Sequence, residues 1–383
     1  MKTAYPWRIL IVEDNDDICS QIEADAVSGK LLPEVGSMET EACSTFNEAV
    51  KYLEITRFDF LILDLKDDPN AKTEDDDSAG LGIFEEIKKR KFVPVIFYSA
   101  IAHKVERLET AFVRIVEKTE GLLKLREEFK KIYNTGLPDL IRYIEEQQRE
   151  YMWDFVNNHW DKLSGTREEQ YITYLLARRL SNILQRQSIR NFLKGTGRLS
   201  GEDESEKIHP LEMYVYPSVN TQFLSGDILQ GKVNGSESFW VVLTPNCDFE
   251  HNKVERALLA RCSLLTIQPE YIKCKSYIEK QQAVANTAIK DIKSLLGDNR
   301  KKQPERFKFL ASTFFIPDLV VDFQDVAHIT ISELEKLERI TSLDSPFAEA
   351  LLARFARYYG RLGTPDLDTD IVFDKLGLVP SDE

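Results

Sequence analysis

The N-terminal third of the chain is predicted to be an α/β domain with a doubly wound, five-stranded parallel sheet. A helical segment and an α+β, small-barrel-like C-terminal domain are expected to follow. Two patterns predict the first domain. Short, predominantly apolar runs recur at 8–12 (RILIV), 58–63 (FDFLIL), 93–98 (VPVIFY) and 112–116 (FVRIV). Helical patterns separate them, and strands covered on both faces read as unbroken apolar runs rather than as alternation.

The elements follow in order. The run 8–12 is the first strand, and METEAC at 38–43 completes a set of five. Helices are expected over 16–27, 46–55, 82–91 and 104–111. From about 120 to 195 the pattern is helical without a strand. Leu122, Leu125, Phe129 and Ile132 share one face, a second helix begins after Gly136, and Thr166 and Glu169 stand in capping-box register ahead of a third. GTGRLSGEDESEK at 195–207 reads as an exposed linker. The texture then becomes β-like: LEMYVYPS, a turn in SGDILQGKVNGSES, then FWVVLTP and RALLARCSLLTI. Residues 276–297 read as helix, FFIPDLVVDF as strand, and 331–338 and 346–359 as the closing helices. Asp344-Ser345-Pro346 is a start signal for the last of these, and Gly360 follows its end. The expected division is 1–133, 134–200 and 201–383.

With 383 residues, the chain has room for two or three domains. It carries 50 Lys and Arg against 64 Asp and Glu, a formal charge of -14, which argues against a general binder of nucleic acid or membrane surfaces. No apolar run approaches the roughly 20 residues of a membrane span. The start, MKTAYPWRILIVEDND, meets acids at once and does not read as a signal peptide. Cys19, Cys43, Cys247, Cys262 and Cys274 are odd in number and scattered, so a disulfide framework is not expected. These features together predict a cytoplasmic protein with reduced thiols.

Ligands of an open parallel sheet bind at the carboxyl ends of its strands. Glu13 and Asp14 follow the first strand, Asp64 the third, Ser99 the fourth, and Glu117 and Lys118 the fifth. Hard carboxylate oxygens suit magnesium. A carboxylate can accept a phosphoryl group, and a metal, a lysine and a hydroxyl supply the charge neutralisation that transfer needs.

These residues resemble the receiver domain of two-component response regulators over 8–133, which implies a flavodoxin-like fold. ILIVEDND is similar to the family's first strand with its acidic metal-binding pair, Glu13 and Asp14. FDFLILDLKDD is similar to the phosphoacceptor segment, which implies Asp64 as acceptor and the Lys66 carbonyl as a further Mg2+ ligand. PVIFYSA places Ser99 at the switch hydroxyl, and RIVEKTEG places Lys118 at the phosphate-contacting lysine. A histidine kinase is the implied phosphoryl donor, and the implied chemistry is limited to the domain's own phosphorylation and dephosphorylation. Three features depart from the pattern. An insertion with Glu74, Asp75, Asp76 and Asp77 precedes Gly80 and Gly82. Ile115 stands where an aromatic switch residue is common, and Thr119 where proline is common.

The middle segment suggests a mechanical connector or a homodimer seam. Its Arg178, Arg179, Arg186, Arg190, Lys194 and Arg198 are either a nucleic-acid contact or a solvated face. In the C-terminal part, Cys247, Asp248 and His251 follow a strand. They suggest a reactive thiolate, a metal site completed by Cys262 and His209, or a plain turn. The GDI…VVLTP-x-CD pattern with FARYYGRLG looks like a group of bacterial small-barrel modules, loosely similar to plasmid toxin endoribonucleases of the MazF and PemK kind. Arg300, Lys301, Lys302, Arg306 and Lys308 form a basic stretch near it. The function expected is a bacterial phosphorelay response regulator with a non-classical output module. The alternatives are a switched effector enzyme, such as a nuclease of stress or phage defence, and a DNA-binding transcriptional regulator.

Overall fold

The computed structural model describes residues 5–65, 84–89, 91–163, 165, 171–198, 207–300, 303, 305–361 and 367–377. The chain forms two units, residues 1–204 and 205–383.

In the first unit, β1 (Trp7–Val12), β2 (Met38–Cys43), β3 (Phe60–Leu63), β4 (Val95–Ser99) and β5 (Val113–Glu117) form a sheet of order β2-β1-β3-β4-β5. Every neighbouring pair is parallel, as the apolar runs predict, and the order is the flavodoxin-like one that the receiver resemblance implies. Successive side chains of a strand point to opposite faces. In β1, Ile9 and Ile11 therefore enter one core with Ile22 and Ala26 of α1 (Asp16–Val27) and Leu125, Phe129 and Ile132 of α4 (Gly121–Asn134). Leu10 and Val12 enter the other, with Ala49 and Leu53 of α2 (Phe46–Ile55) and Phe84 and Ile87 of α3 (84–89). Strand order reverses between β1 and β3, so the chain leaves those two strands in opposite lateral directions and opens a crevice at their carboxyl ends.

The helix expected over 104–111 is a 3-10 helix, Ala102–Leu108. Thr110 ends it, because its hydroxyl accepts from the amides of Phe112 and Val113 and turns the chain directly into β5.

Gly136, at φ +79, breaks the helical run as expected, and α5 (Leu137–Leu163) follows. Arg142 of α5 is buried and donates to Asp59 at 2.7 Å, at the amino end of β3. This pair holds α5 against the end of the sheet remote from Asp64. Tyr151 and Phe155 of α5 pack on Leu176 and Leu180 of α6 (Ile172–Ile183). The expected third long helix is broken at 184–185, and α7 (Arg186–Gly195) returns to stack Phe192 on Tyr143 at 4.5 Å. The capping box at Thr166 and Glu169 lies outside the described residues.

The second unit is a seven-stranded antiparallel sheet: β6 (Tyr214–Val215), β7 (Asp227–Val233), β8 (Ser236–Val242), β9 (Arg256–Leu264), β10 (Phe307–Leu310), β11 (Leu319–Thr330) and β12 (Glu338–Leu343). The order is β10-β11-β9-β8-β7-β12-β6. Among the described residues no ladder joins β6 to β10. The Tyr214 hydroxyl nevertheless donates to the Ala311 carbonyl at 2.7 Å, so the two edges meet and the sheet curls as a barrel does. Helices α8 (Asn246–Glu250), α9 (Pro269–Glu279), α10 (Asn286–Leu296), α11 (Ile331–Leu334), α12 (Phe347–Tyr359) and α13 (Thr369–Lys375) complete the unit.

Three expectations change here. SGDILQGKVNGSES is mainly the β7–β8 hairpin, turning at Asn234 and Gly235, both at positive φ, as a tight two-residue hairpin turn requires. The helix expected over 331–338 is a single turn followed by β12, whose Thr341, Ser342 and Leu343 are buried beside β7. The helix expected over 276–297 is two helices, with Gln281 at positive φ between them. No helix among the described residues is long and apolar enough to cross a membrane.

Candidate metal centre at the carboxyl edge of the parallel sheet

The residues that follow β1, β3 and β5 converge. The Glu13 amide donates to the Cys43 carbonyl and the Asp64 amide to the Val12 carbonyl, so both acids continue the sheet ladder before their side chains turn into the crevice. Asn15 caps α1 by accepting from the amides of Asp17 and Ile18, and its own amide donates to Glu13 Oε1 at 3.0 Å. Helix and carboxylate are thus set by one short loop. Glu13 and Asp64 are buried, and Asp14 is exposed.

Lys118 lies just past β5, where Glu117 and Glu120 close a capping box around a single 3-10 turn. Its Nζ donates to Asp64 Oδ2 at 2.7 Å and lies 2.8 Å from Glu13 Oε2. Burial disfavours the ammonium, but the hydrogen bonds and charges of Asp64 and Glu13 outweigh burial and raise its pKa. Ser99 is fully buried; its hydroxyl donates to the Leu65 carbonyl at 3.2 Å and accepts from the Ile101 amide. It therefore sits against the residue that follows Asp64. Ile115 is half-buried and packs on the core that holds Phe97 and Val105.

Glu13, Asp14 and Asp64 each present an oxygen within 4.8 Å of the other two, the one such group of possible metal ligands among the described residues. Glu13 and Asp64 share the Lys118 ammonium, and the exposed Asp14 stands beside them. An all-oxygen, anionic donor set of this kind suits a hard divalent cation such as Mg2+. Lys66 and the acids at 74–77 lie outside the described residues.

Other sequence candidates do not gather in this way. Cys247 is exposed, with its thiol 3.7 Å from Asp248 Oδ1, and His251 is the residue that ends α8. Cys262 is fully buried in β9, where burial pushes its thiol pKa up, and His209 caps a 3-10 turn by accepting from the Leu211 amide. These four do not form a metal-ligand group. In the basic stretch, Arg300 is bidentate to Glu270, Arg306 is bidentate to Asp322, and Lys308 pairs with Asp298. Their charge is already compensated within the unit, which reduces what they can offer phosphates. Lys301 and Lys302 lie outside the described residues. Arg198 is likewise held by Asp139 at 2.7 Å.

Asp227 went unnoticed in the sequence. It is fully buried, accepts from Ser342 Oγ at 2.5 Å and from the Leu224 amide at 2.9 Å, and faces Arg339 at 3.3 Å. Burial raises its pKa against those partners. An Asp after Gly reads as ordinary turn chemistry, so only the fold exposes this role.

No family model matches the chain, and no curated protein does. Among solved structures, response regulator TrrA of Thermotoga maritima in complex with Mg2+ and beryllium fluoride is 27% identical at a TM-score of 0.25, covering 33% of this chain and 98% of that one. A complex of the histidine kinase ThkA with TrrA matches at 25% identity and a TM-score of 0.26, over 33% of this chain and 97% of that chain. A mycobacterial endoribonuclease with its cognate antitoxin matches at 8% identity and a TM-score of 0.23, over 37% of this chain and 99% of that chain. The N-terminal third is thus similar to response-regulator receiver domains.

Proposed function

We propose that the chain is a phosphorylation-controlled response regulator whose residues 1–133 accept a phosphoryl group on Asp64. The observation that carries this reading is the Lys118 ammonium held between Asp64 and Glu13, with Asp14 beside them at the mouth of the crevice. A half-buried lysine joined to an acceptor carboxylate stabilises charge as a phosphoryl group arrives. The donor is a phosphohistidine of a partner kinase in the cytoplasm. A carboxylate oxygen of Asp64 forms the new P–O bond, the P–N bond breaks, and its electron pair stays on the imidazole nitrogen. Mg2+ would be held by Glu13, Asp14, Asp64 and the Lys66 carbonyl, and when bound it supplies neutralisation of phosphoryl charge.

The chain's own residues do the rest. Lys118 exchanges its contact with the Asp64 carboxylate for the new phosphoryl oxygens. Ser99 releases the Leu65 carbonyl and turns its hydroxyl toward the same oxygens. The two moves rearrange the β3 and β4 ends together, a local charge change with a wider readout. Residues 134–200 act as connector and 201–383 as output module.

Acetyl phosphate with Mg2+, followed by intact-mass measurement, tests the reading. Wild type is expected to gain one phosphoryl group that alkali removes, and Asp64→Ala to gain none. An unlabelled wild type, or a label that persists in Asp64→Ala, overturns it.

A further inference from the structure

A cleft of about 440 Å3 opens at the amino edge of the parallel sheet, at the end of β3 remote from Asp64. That volume lies within the roughly 300–1,000 Å3 of small-molecule sites. Phe58, Phe92 and Val93, from the segments that enter β3 and β4, form one wall. Ile141 and Ile144 of α5 form the other. Phe92 is an apolar lip, 66% exposed and stacked on Phe112 at 4.4 Å.

The carboxylates of this cleft are already engaged. Asp59 is occupied: it takes Arg142 at 2.7 Å, Arg57 at 2.9 Å and the Arg8 amide at 2.9 Å. Glu145 pairs with Arg57. Arg57 and Lys91 are the cations of the lining, and Arg142 reaches Asp59 from outside it. Lys91 donates from Nζ to the Thr56 carbonyl at 3.0 Å and forms no ion pair with a carboxylate among the described residues. Burial and the charge of Arg57 lower its pKa, and Glu145 offsets this only in part. A half-buried ammonium with apolar walls and unused N–H donors attracts an anion that brings its own apolar surface.

We propose that this cleft binds a small apolar molecule carrying a single oxyanion group, with Lys91 as its counter-ion. One cation with no ion-pair partner among the described residues suits a monoanion rather than a nucleotide or other polyanion. Because the walls come from both the sheet and α5, the ligand ties α5 to the sheet. The assignment does not depend on the chemistry at Asp64.

The test uses the full chain and a dye pair: 8-anilinonaphthalene-1-sulfonate, an apolar body with one sulfonate, and its uncharged analogue N-phenyl-1-naphthylamine. Wild type is expected to bind the sulfonate at one saturable site and the neutral dye at least about tenfold more weakly. Lys91→Met is expected to weaken the sulfonate by about tenfold and remove the difference between the dyes. Ile141→Trp, which fills the cleft, is expected to abolish the site, and circular dichroism checks that each variant is folded. Equal affinity of wild type for both dyes, no saturable binding, or sulfonate binding unchanged in Lys91→Met overturns the proposal. The Lys91→Met comparison decides it even if Ile141→Trp does not fold.

Discussion

Lys118 Nζ lies 2.7 Å from Asp64 Oδ2, although 54 positions separate the two residues. Two strands, β3 and β5, deliver them to the same edge with β4 between. The same ammonium lies 2.8 Å from Glu13, so one cation holds two buried acids together. This is an arrangement that a divalent cation or a phosphoryl group can compete for or join.

Lys118→Met should leave Glu13 and Asp64 repelling each other in a poorly solvated site. Removing one partner of a buried pair costs about 3 kcal/mol or more. The expected outcome in chelator-treated buffer is a lower urea midpoint than wild type. Added Mg2+ should raise the Tm of the variant more than that of wild type, because binding to the folded state alone stabilises it. An equal Mg2+ response would count against shared use of these carboxylates.

Arg142→Leu should destabilise the first unit through Asp59, whose side chain is only 3% exposed. Asp59 retains Arg57 and the Arg8 amide, so the expected cost is near 3 kcal/mol, the low end for a broken buried pair. Adding Asp59→Asn should recover part of it. Urea unfolding of the single and double variants measures both.

Glu128 of α4 predicts a pH dependence. Burial raises its pKa, but hydrogen bonds from Lys131 and Arg114 and their charges prevail and lower it overall. Its stabilisation is therefore fully present above the ordinary glutamate value of 4.5 and is lost as pH falls through the lowered folded value. The Tm gap between wild type and Glu128→Gln should be widest near neutrality and shrink progressively as pH falls below 4.5 toward the lowered folded value.

Gly226 and Gly235 separate two effects of glycine. Both have positive φ, but a Cβ at Gly226 would lie 2.9 Å from Ala348 Cβ, whereas nothing stands within 4 Å of one at Gly235. Gly235→Ala should cost about 1 kcal/mol from backbone conformation alone. Gly226→Ala should cost about 1–3 kcal/mol more, through the clash with α12. Chemical denaturation followed by tryptophan fluorescence, with Trp240 buried in the second unit, reports the difference.

Much of the first unit was legible in the chain. RILIV, FDFLIL and VPVIFY are dominated by apolar residues, as strands covered on both sides are; β3 lies within FDFLIL, and β1 and β4 each pass one residue beyond their runs. The helix between β4 and β5 was misread because Leu108 and its neighbours suit a helix locally. The hydroxyl of Thr110, which pulls the chain early into β5, is a contact that periodicity does not register. In the second unit the helix expected over 331–338 stops after one turn, and ERITSL just beyond it, which had no local signature of its own, is a strand because β7 and β6 flank it.

Strand identity, strand spacing and the residue at each strand end are local properties, written where the chain stops being apolar. From them the positions of Glu13, Asp14, Asp64, Ser99 and Lys118 along one edge could be inferred before any contact was known. Which groups neutralise one another is not local. That Lys118 joins Asp64 to Glu13, that Arg142 is buried on Asp59, that Arg300 and Arg306 are paired with carboxylates while Lys91 meets only a backbone carbonyl among the described residues, and that Asp227 is enclosed all depend on side chains brought together from distant segments. Coulomb and hydrogen-bond energies act through space over a few ångströms, and only the folded chain sets those distances.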